Sequence, residues 1–286
     1  MDILLVGGSG FVGKNLYASL KGRHNVSIMS RHMPAWISRD RWVEGDITKK
    51  DSLAKADIAD FDVVVDLVAV IGQKEQMHRD VNVLGTSNLI EKLKLGRRAL
   101  LVYFSAINSD AGSTEYFRTK SMAEGNVRAY GDYLIIRPSL FYGPGDYITT
   151  QLAKSAQGFI PAFPRSKPMC PVYIMDFDRM FREIIEKAPR NAEYNVCSNE
   201  MLTMGDMLNL IRKSMGKGDV PQVPLGLFKA LGPMLDAAGI ISREQLSMLG
   251  YSFYRDDTVL YRYIKRPVRY AEFVAEMARK GFASPT

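Results

Sequence analysis

Tyr116 and Lys120 stand four residues apart in a stretch with helical patterning, residues 116–129. On a helix, that spacing puts both side chains on one face. An ammonium beside a phenol favours the phenolate, so the tyrosine can give or take a proton at a reacting oxygen. The lysine can also donate to a ribose hydroxyl. The same Y-x-x-x-K spacing recurs at Tyr17/Lys21 and Tyr261/Lys265, so spacing alone is a weak signal. The Tyr116 pair differs in following an apolar run, residues 99–104, that would line the crevice of a parallel sheet.

A second element of chemistry lies at the start of the chain. Gly7-Gly8-Ser9-Gly10-Phe11-Val12-Gly13 fits G-x-x-G-x-x-G between an apolar strand and an amphipathic helix. Glycines there permit a tight turn and close approach of a pyrophosphate, which the free N–H groups of the helix N-terminus then hold. Gly7, Ser9, Gly10, Phe11, Val12 and Gly13 are the expected contacts. The end of the second strand selects the dinucleotide. It reads Ile28-Met29-Ser30-Arg31-His32, with no carboxylate for a ribose 2′-OH. Arginine meets phosphate oxygens bidentately, so Ser30 and Arg31 predict NADP(H) over NAD(H).

These residues need a frame. Short apolar runs at 2–6, 26–29, 41–44, 61–70, 99–104 and 133–137 alternate with helical patterns at 13–20, 52–59, 81–95 and 116–129. Such alternation predicts an α/β, doubly wound Rossmann fold: a parallel sheet covered on both faces. Residues 1–148 form the expected dinucleotide domain, with short strands at 172–174 and 193–196 returning to its sheet. Residues 149–286 form a smaller, mostly helical lobe rich in methionine, which suits an adaptable apolar pocket and, by default, core filling.

Composition excludes several classes. The chain has 286 residues, 47% hydrophobic and 24% charged, an ordinary globular balance. Two cysteines, Cys170 and Cys197, suggest a reducing compartment, and the histidines have no metal-ligand spacing, so no metal is expected. The start lacks a signal peptide, and no 18-residue apolar run exists, so a cytoplasmic protein is expected. The net charge of +7 is spread, densest from Arg255 to Arg269, and reads as a solvated face rather than a nucleic-acid site. Residues 225–241 are apolar apart from Lys229 and Asp236; they read as a buried hairpin, with contact to a membrane surface or partner as the alternative.

Together these motifs resemble the short-chain dehydrogenase/reductase superfamily in its extended or atypical branch. The likeness rests on Gly7/Gly10/Gly13, Gly45-Asp46-Ile47, Val81-Asn82-Val83-Leu84-Gly85-Thr86, Tyr116/Lys120 and the segment Arg137-Pro138-Ser139-Leu140-Phe141-Tyr142-Gly143-Pro144-Gly145-Asp146. Within it, the chain looks most like the group related to the nucleotide-binding accessory subunit of respiratory complex I, from Asp66-Leu67-Val68-Ala69 and residues 242–249. The resemblance implies that Asp46 and Ile47 flank the adenine, that Leu67, Val68 and Ala69 pass the nicotinamide-side ribose, that Ser105 touches the cofactor, and that Pro138 packs near the nicotinamide amide. It implies catalysis by Tyr116 and Lys120.

One departure bears on activity. The extended branch carries a hydroxyl just past the fourth strand of its pattern, expected here at 106 or 107, where Ala106 and Ile107 stand. Losing such a donor removes a few kcal/mol of oxyanion-type stabilisation. Three functions follow as expectations. The first is hydride transfer on a small or lipophilic carbonyl or alcohol. The second is a non-catalytic nucleotide-binding subunit of a respiratory or membrane-associated complex. The third is a nucleotide-sugar epimerase or dehydratase.

Overall fold

The computed structural model describes residues 1–58, 60–71, 75–237 and 241–281. The chain divides into two units, Met1–Arg137 with Asp178–Asn195, and Pro138–Phe177 with Val196–Thr286. The division thus falls eleven residues before the expected boundary at 148, and the first unit takes back a later segment.

The first unit is built on strands β1 (Asp2–Val6), β2 (Asn25–Ser30), β3 (Trp42–Glu44), β4 (Val63–Asp66), β5 (Leu100–Phe104) and β6 (Tyr133–Pro138). They pair in parallel in the order β6-β5-β4-β1-β2-β3. Near-continuous burial along β1, β4 and β5 is what helices on both sheet faces require. Those helices are α1 (Phe11–Leu20), α2 (Lys50–Lys55), α3 (Glu75–His78), a π-helical turn at Arg79–Gly85, α4 (Thr86–Leu93) and α5 (Glu115–Tyr130). Leu4, Val6, Val64, Leu101, Ile135, Leu89 and Val127 share one fully buried core. The strand order reverses between β1 and β4, the position at which open α/β sheets bind ligands beyond their strand ends.

Two expected elements are shorter in the structure. The β-branched run 61–70 forms a strand only over Val63–Asp66. Beyond it the Val68 amide donates to Asp66 Oδ1 (3.0 Å), a side-chain turn that ends the ladder. The helix expected over 52–59 is α2, ending at Lys55; Ala59 lies outside the described residues.

The second unit begins with β7 (Phe141–Tyr142), α6 (Tyr147–Gln157), β8 (Phe163–Arg165) and β9 (Val172–Tyr173). Helix α7 (Ile174–Lys187) and β10 (Ala192–Val196) lead back to the large sheet, where β10 lies beside β6 as its seventh strand. The strand at 172–173 does not return to that sheet. It pairs with β7 in a separate two-stranded ladder, because Leu140 and Phe141 precede it with their backbone already extended alongside. The rest comprises α8 (Met204–Ser214), β11 (Gln222–Pro224), which pairs with β8, α9 (Leu225–Ala230), α10 (Gly232–Ala237), α11 (Arg243–Met248), α12 (Leu260–Tyr263) and α13 (Tyr270–Lys280). Met207, Leu208, Ile211, Tyr142, Tyr270 and Phe273 lie in its core.

The hairpin expected to be buried at 225–241 is instead exposed. Helix α9 buries none of its residues, and Leu227, Leu231 and Met234, at i, i+4 and i+7, face solvent at 60%, 49% and 62% exposure. Residues 238–240 lie outside the described residues. The basic stretch near the C-terminus is partly neutralised, with Arg266 3.6 Å from Glu272 and Arg269 3.6 Å from Glu200. Among the described residues, no helix is long and apolar enough to cross a membrane, and no group of His, Cys, Asp and Glu could hold a metal ion.

Candidate functional site

The glycine loop joins β1 to α1 at the strand-order reversal. Gly7 has a positive φ of 75°, and a Cβ there would sit 2.8 Å from Val68 Cγ2. At Gly13 a Cβ would fall 2.5 Å from Gly8 Cα, so helix and loop backbones touch. Both glycines are therefore demanded by the protein's own packing. Gly10 is different. A Cβ there would meet nothing nearer than the Gly7 carbonyl oxygen at 3.6 Å, and its φ of −76° suits any residue. No protein atom requires glycine at that position; a ligand passing close to the backbone would. Gly10 is also the N-cap of α1, whose first turn has no side-chain cap and no acidic residue, leaving N–H groups and the positive dipole end for an anion.

At the end of β2, the Ser30 hydroxyl is buried and already engaged. It donates to the His32 carbonyl (2.8 Å) and accepts from Trp42 Nε1 (2.9 Å). It thus fixes the turn between β2 and β3, and its proton is not free for a 2′-phosphate. Arg31 is exposed at this edge, and Arg39 stacks on the Trp42 ring at 4.6 Å. Asp46 lies near Arg31. Burial opposes its ionisation, but the Thr48 hydroxyl and amide (2.7 and 3.0 Å) and the nearby Arg31 outweigh it and hold the carboxyl below its ordinary value. Ile47 is buried, and its carbonyl accepts from Asn88 Nδ2 (2.9 Å).

Leu67, Val68 and Ala69 follow β4 as an ordered turn. Val68 N is held by Asp66, and Val70 N donates to Asn82 Oδ1 (3.2 Å). Asn82 lies on the π-helical turn, and its Nδ2 donates to Thr119 Oγ1 on α5 (3.1 Å). A buried polar chain thus ties the turn after β4 to the helix that carries the tyrosine and lysine. Sequence reasoning quoted Asn82 only as part of a motif and gave Asp66 and Thr86 no role. Their one local signal was polarity at the edge of an apolar run.

Of the three Y-x-x-x-K pairs, only Tyr116/Lys120 is buried on both members. Lys21 and Lys265 are exposed, and Lys21 merely stacks on Tyr17 at 5.5 Å. Thr114 caps α5 by accepting from the Phe117 amide (3.4 Å). Tyr116 packs against Phe117 (ring centres 5.6 Å apart) and edge-on to His78 (6.3 Å). Lys120 is 1% exposed. Its Nζ donates to the Phe104 carbonyl (2.7 Å) and lies 4.6 Å from the centre of the Tyr103 ring. Burial lowers the Lys120 pKa to about 8, with Asp66 and then Glu124 pulling it back up.

Ser105 continues the β5 ladder through its amide to the Ile136 carbonyl (2.8 Å). Its hydroxyl is buried without a hydrogen bond of ordinary geometry, though close enough to Glu124 to favour the carboxylate. Ala106 and Ile107 are buried and offer no hydroxyl. Ser109 does not replace them: its hydroxyl donates to Glu124 Oε1 (2.7 Å). Pro138 ends β6. Gly7, Ser30, Leu67, Ser105 and Pro138 therefore all stand at or just beyond the C-terminal ends of neighbouring strands.

This arrangement coincides with a family match. Residues 3–196 fit the NAD dependent epimerase/dehydratase family, and the chain belongs to that family. Among curated relatives, it is similar to short-chain dehydrogenase/reductase family 42E member 1 of Homo sapiens, 29% identical over 58% of this chain and 53% of the relative. It is 28% identical to the decarboxylating sterol-4-alpha-carboxylate 3-dehydrogenase ERG26 of Saccharomyces cerevisiae, over 51% of this chain and 52% of that one. It is 28% identical to 2-alkyl-3-oxoalkanoate reductase of Stenotrophomonas maltophilia, over 55% and 56%. The aligned stretch spans about half the length of each relative. The fold matches human epimerase family protein SDR39U1 with NADPH (TM-score 0.74, 15% identity, 98% and 99% of the chains). It equally matches dTDP-glucose 4,6-dehydratase from Bacillus anthracis with NAD (TM-score 0.74, 16% identity, 98% and 96%).

Proposed function

We propose that the chain binds NADP(H) across the strand ends of its large sheet and uses it to interconvert a lipophilic carbonyl and its alcohol. The observation that carries this reading is the buried Tyr116/Lys120 pair on the helix after β5, on the same sheet as a glycine loop whose Gly10 no protein atom explains. The amides of Ser9 to Gly13 would hold the pyrophosphate. Arg31 would pair with the 2′-phosphate, and Asp46 and Ile47 would border the adenine. Leu67, Val68 and Ala69 would flank the second ribose, whose hydroxyls Lys120 would bind. Ser105 and Pro138 would border the nicotinamide. When bound, the dinucleotide supplies or accepts hydride. Tyr116 would protonate the substrate oxygen on reduction or deprotonate it on oxidation. The sterol and oxoalkanoate relatives support a lipophilic substrate; a nucleotide sugar is the less favoured substrate class.

Cofactor choice tests the first half of this reading. NADPH is expected to bind about 10- to 100-fold tighter than NADH, the worth of one charged hydrogen-bonded contact. Arg31→Ala should close most of that gap in a fluorescence titration, and tighter binding of NADH by the wild type would overturn it. The loop separates stability from binding. Gly13→Ala drives a Cβ into the Gly8 backbone and is expected to cost about 3 kcal/mol in thermal unfolding. Gly10→Ala should stay within about 1 kcal/mol of wild type, yet lose most of its NADPH affinity.

A second reading has its own observation. With no hydroxyl at 106 or 107 and Ser109 committed to Glu124, the site lacks the expected second donor to a substrate oxygen. A nucleotide-binding subunit that performs no turnover, docked through the exposed Leu227/Leu231/Met234 stripe onto a membrane-associated complex, would need none. NADPH exchange decides between the two. Release within seconds, with oxidation of NADPH by a sterol or long-chain ketone, supports the enzyme. Retention for hours with no turnover supports the subunit.

A further inference from the structure

Two buried groups of opposite sign, Asp66 and Lys120, adjoin the same residue, Tyr103, and only the lysine has been given a role. Asp66, the last residue of β4, is fully buried. Its Oδ1 accepts from Val68 N (3.0 Å) and its Oδ2 from Thr86 Oγ1 (3.0 Å). Neither donor is charged. Its cross-strand partner on β5 is Tyr103, the residue whose ring lies under the Lys120 ammonium. Lys120, also buried, makes a single hydrogen bond among the described residues, to the Phe104 carbonyl. A buried ammonium with one carbonyl acceptor is costly unless a carboxylate is near.

The groups facing Lys120 are few. Among the described residues they are Asp66 from β4, Tyr103 from β5 and Glu124 from α5, with Tyr116 acting on Tyr103 and His78 from α3 against Tyr116. Glu124 is already matched: it accepts two hydrogen bonds from Arg137 (both 2.7 Å), one from Arg128 (2.9 Å) and one from Ser109. Asp66 has no ion pair with any arginine or histidine among the described residues; burial raises its pKa, and Lys120 is the foremost of the groups that pull it back down, ahead of the Val68 amide and Thr86, so Asp66 is the carboxyl left to answer the ammonium.

We propose that Asp66 is a positioning residue: the counter-charge that keeps Lys120 protonated inside the fold, and the acceptor that fixes the Val68 turn beside it. The inference rests on the dinucleotide reading only in what Lys120 then binds; the Asp66–Lys120 coupling itself belongs to the fold. Asp66 raises the lysine's proton affinity where burial lowers it, so Lys120 titrates near 8 with Asp66 present. Without the carboxylate, the lysine must lose its proton at still lower pH.

The test is Asp66→Asn, which keeps the shape and the Oδ1 acceptor. Unfolding free energy is followed from pH 6 to 10 in the protein free of dinucleotide, and NADPH affinity over the same range. In the wild type, stability rises with pH from about 8 toward the ordinary lysine value near 10.4, because the unfolded chain binds the proton that the fold gives up. In Asp66→Asn the onset of that rise should move down by about one unit or more. NADPH affinity should weaken as pH rises through the same midpoint in each protein, and Asp66→Glu should restore the wild-type position. An unmoved onset in Asp66→Asn overturns the proposal. If the onset moves but NADPH affinity is flat with pH, the pair stands and the reading of Lys120 as a cofactor contact fails. Should Asp66→Asn not fold, the double variant Asp66→Asn/Lys120→Gln carries the test. Recovery of folding on removing both charges supports the coupling, and no recovery overturns it.

Discussion

Replacing Tyr116 by phenylalanine is expected to lower the rate of hydride transfer by about 10²- to 10⁴-fold, the usual worth of a positioned general acid or base. NADPH affinity should stay within about twofold, since uniform binding is untouched when only a transition-state proton is lost. The substitution keeps the ring and removes only the hydroxyl. Tyr116 is 7% exposed and packs by its ring against Phe117 and His78, contacts that phenylalanine keeps. Initial rates and a fluorescence titration on the same preparation measure both quantities. A variant that turns over at the wild-type rate would remove Tyr116 from the chemistry. Paired loss of rate and binding would mean that the hydroxyl holds the cofactor instead of moving a proton. The expected effect is large here because Ala106 and Ile107 provide no second donor to share the load.

Glu124→Leu is expected to be the most destabilising single change in the first unit, at about 3–5 kcal/mol. Glu124 is 2% exposed and sits at the centre of a network of side chains from α5, β6, β10 and the turn after β5. Arg137 reaches it with two nitrogens and Glu193 with one (2.6 Å), while Arg128 bridges the same two carboxylates. Removing the carboxylate strands Arg137, whose side chain is 12% exposed, without its main partner. The double variant Glu124→Leu/Arg137→Met should recover part of the loss, since a buried pair replaced whole by apolar side chains is often close to neutral. Urea unfolding measures all three proteins.

The same network sets an acid limit. The Arg128 hydrogen bond, set against partial burial and joined by Arg137, lowers the Glu193 pKa to about 2. At Glu124, burial opposes ionisation, but hydrogen bonds from Arg137 and the serines prevail and its pKa is also lowered. A carboxyl depressed in the fold stabilises it above the unfolded value near 4.3, and that stability is lost as pH falls toward the folded value. The wild type should therefore weaken between about pH 4 and pH 2, and Glu124→Leu should show a shallower acid limb over that window.

Much of the fold was legible because it is local. Alternating apolar runs and 3.6-residue patterns are short-range consequences of burying a sheet on both faces, and they placed β1, β2, β4, β5 and β6 within a few residues. The glycine loop was legible for the same reason: a tight turn, a close approach and a helix start are all written within seven consecutive residues. Tyr116 and Lys120 were legible as a spacing, and the order of the segments singled them out from two look-alike pairs.

What escaped the sequence was decided by partners distant along the chain. Asp66 reads as a polar stop at the end of an apolar run until Tyr103 is seen opposite it and Lys120, 54 positions later, over the Tyr103 ring. Glu124 reads as a helix-surface glutamate until Arg137 and Ser109 converge on it. Ser30 reads as an available hydroxyl; only the fold shows its proton already donated to the His32 carbonyl. The stripe at 227, 231 and 234 is apolar whether buried or exposed, so composition could not tell a hairpin in the core from a helix in water. Residue type and spacing thus determined the sheet, the glycine turn and the Tyr116/Lys120 pair. Burial and long-range pairing, which depend on which surfaces meet, determined the lowered proton affinity of Lys120, the commitment of Ser109 to Glu124 and the exposed face.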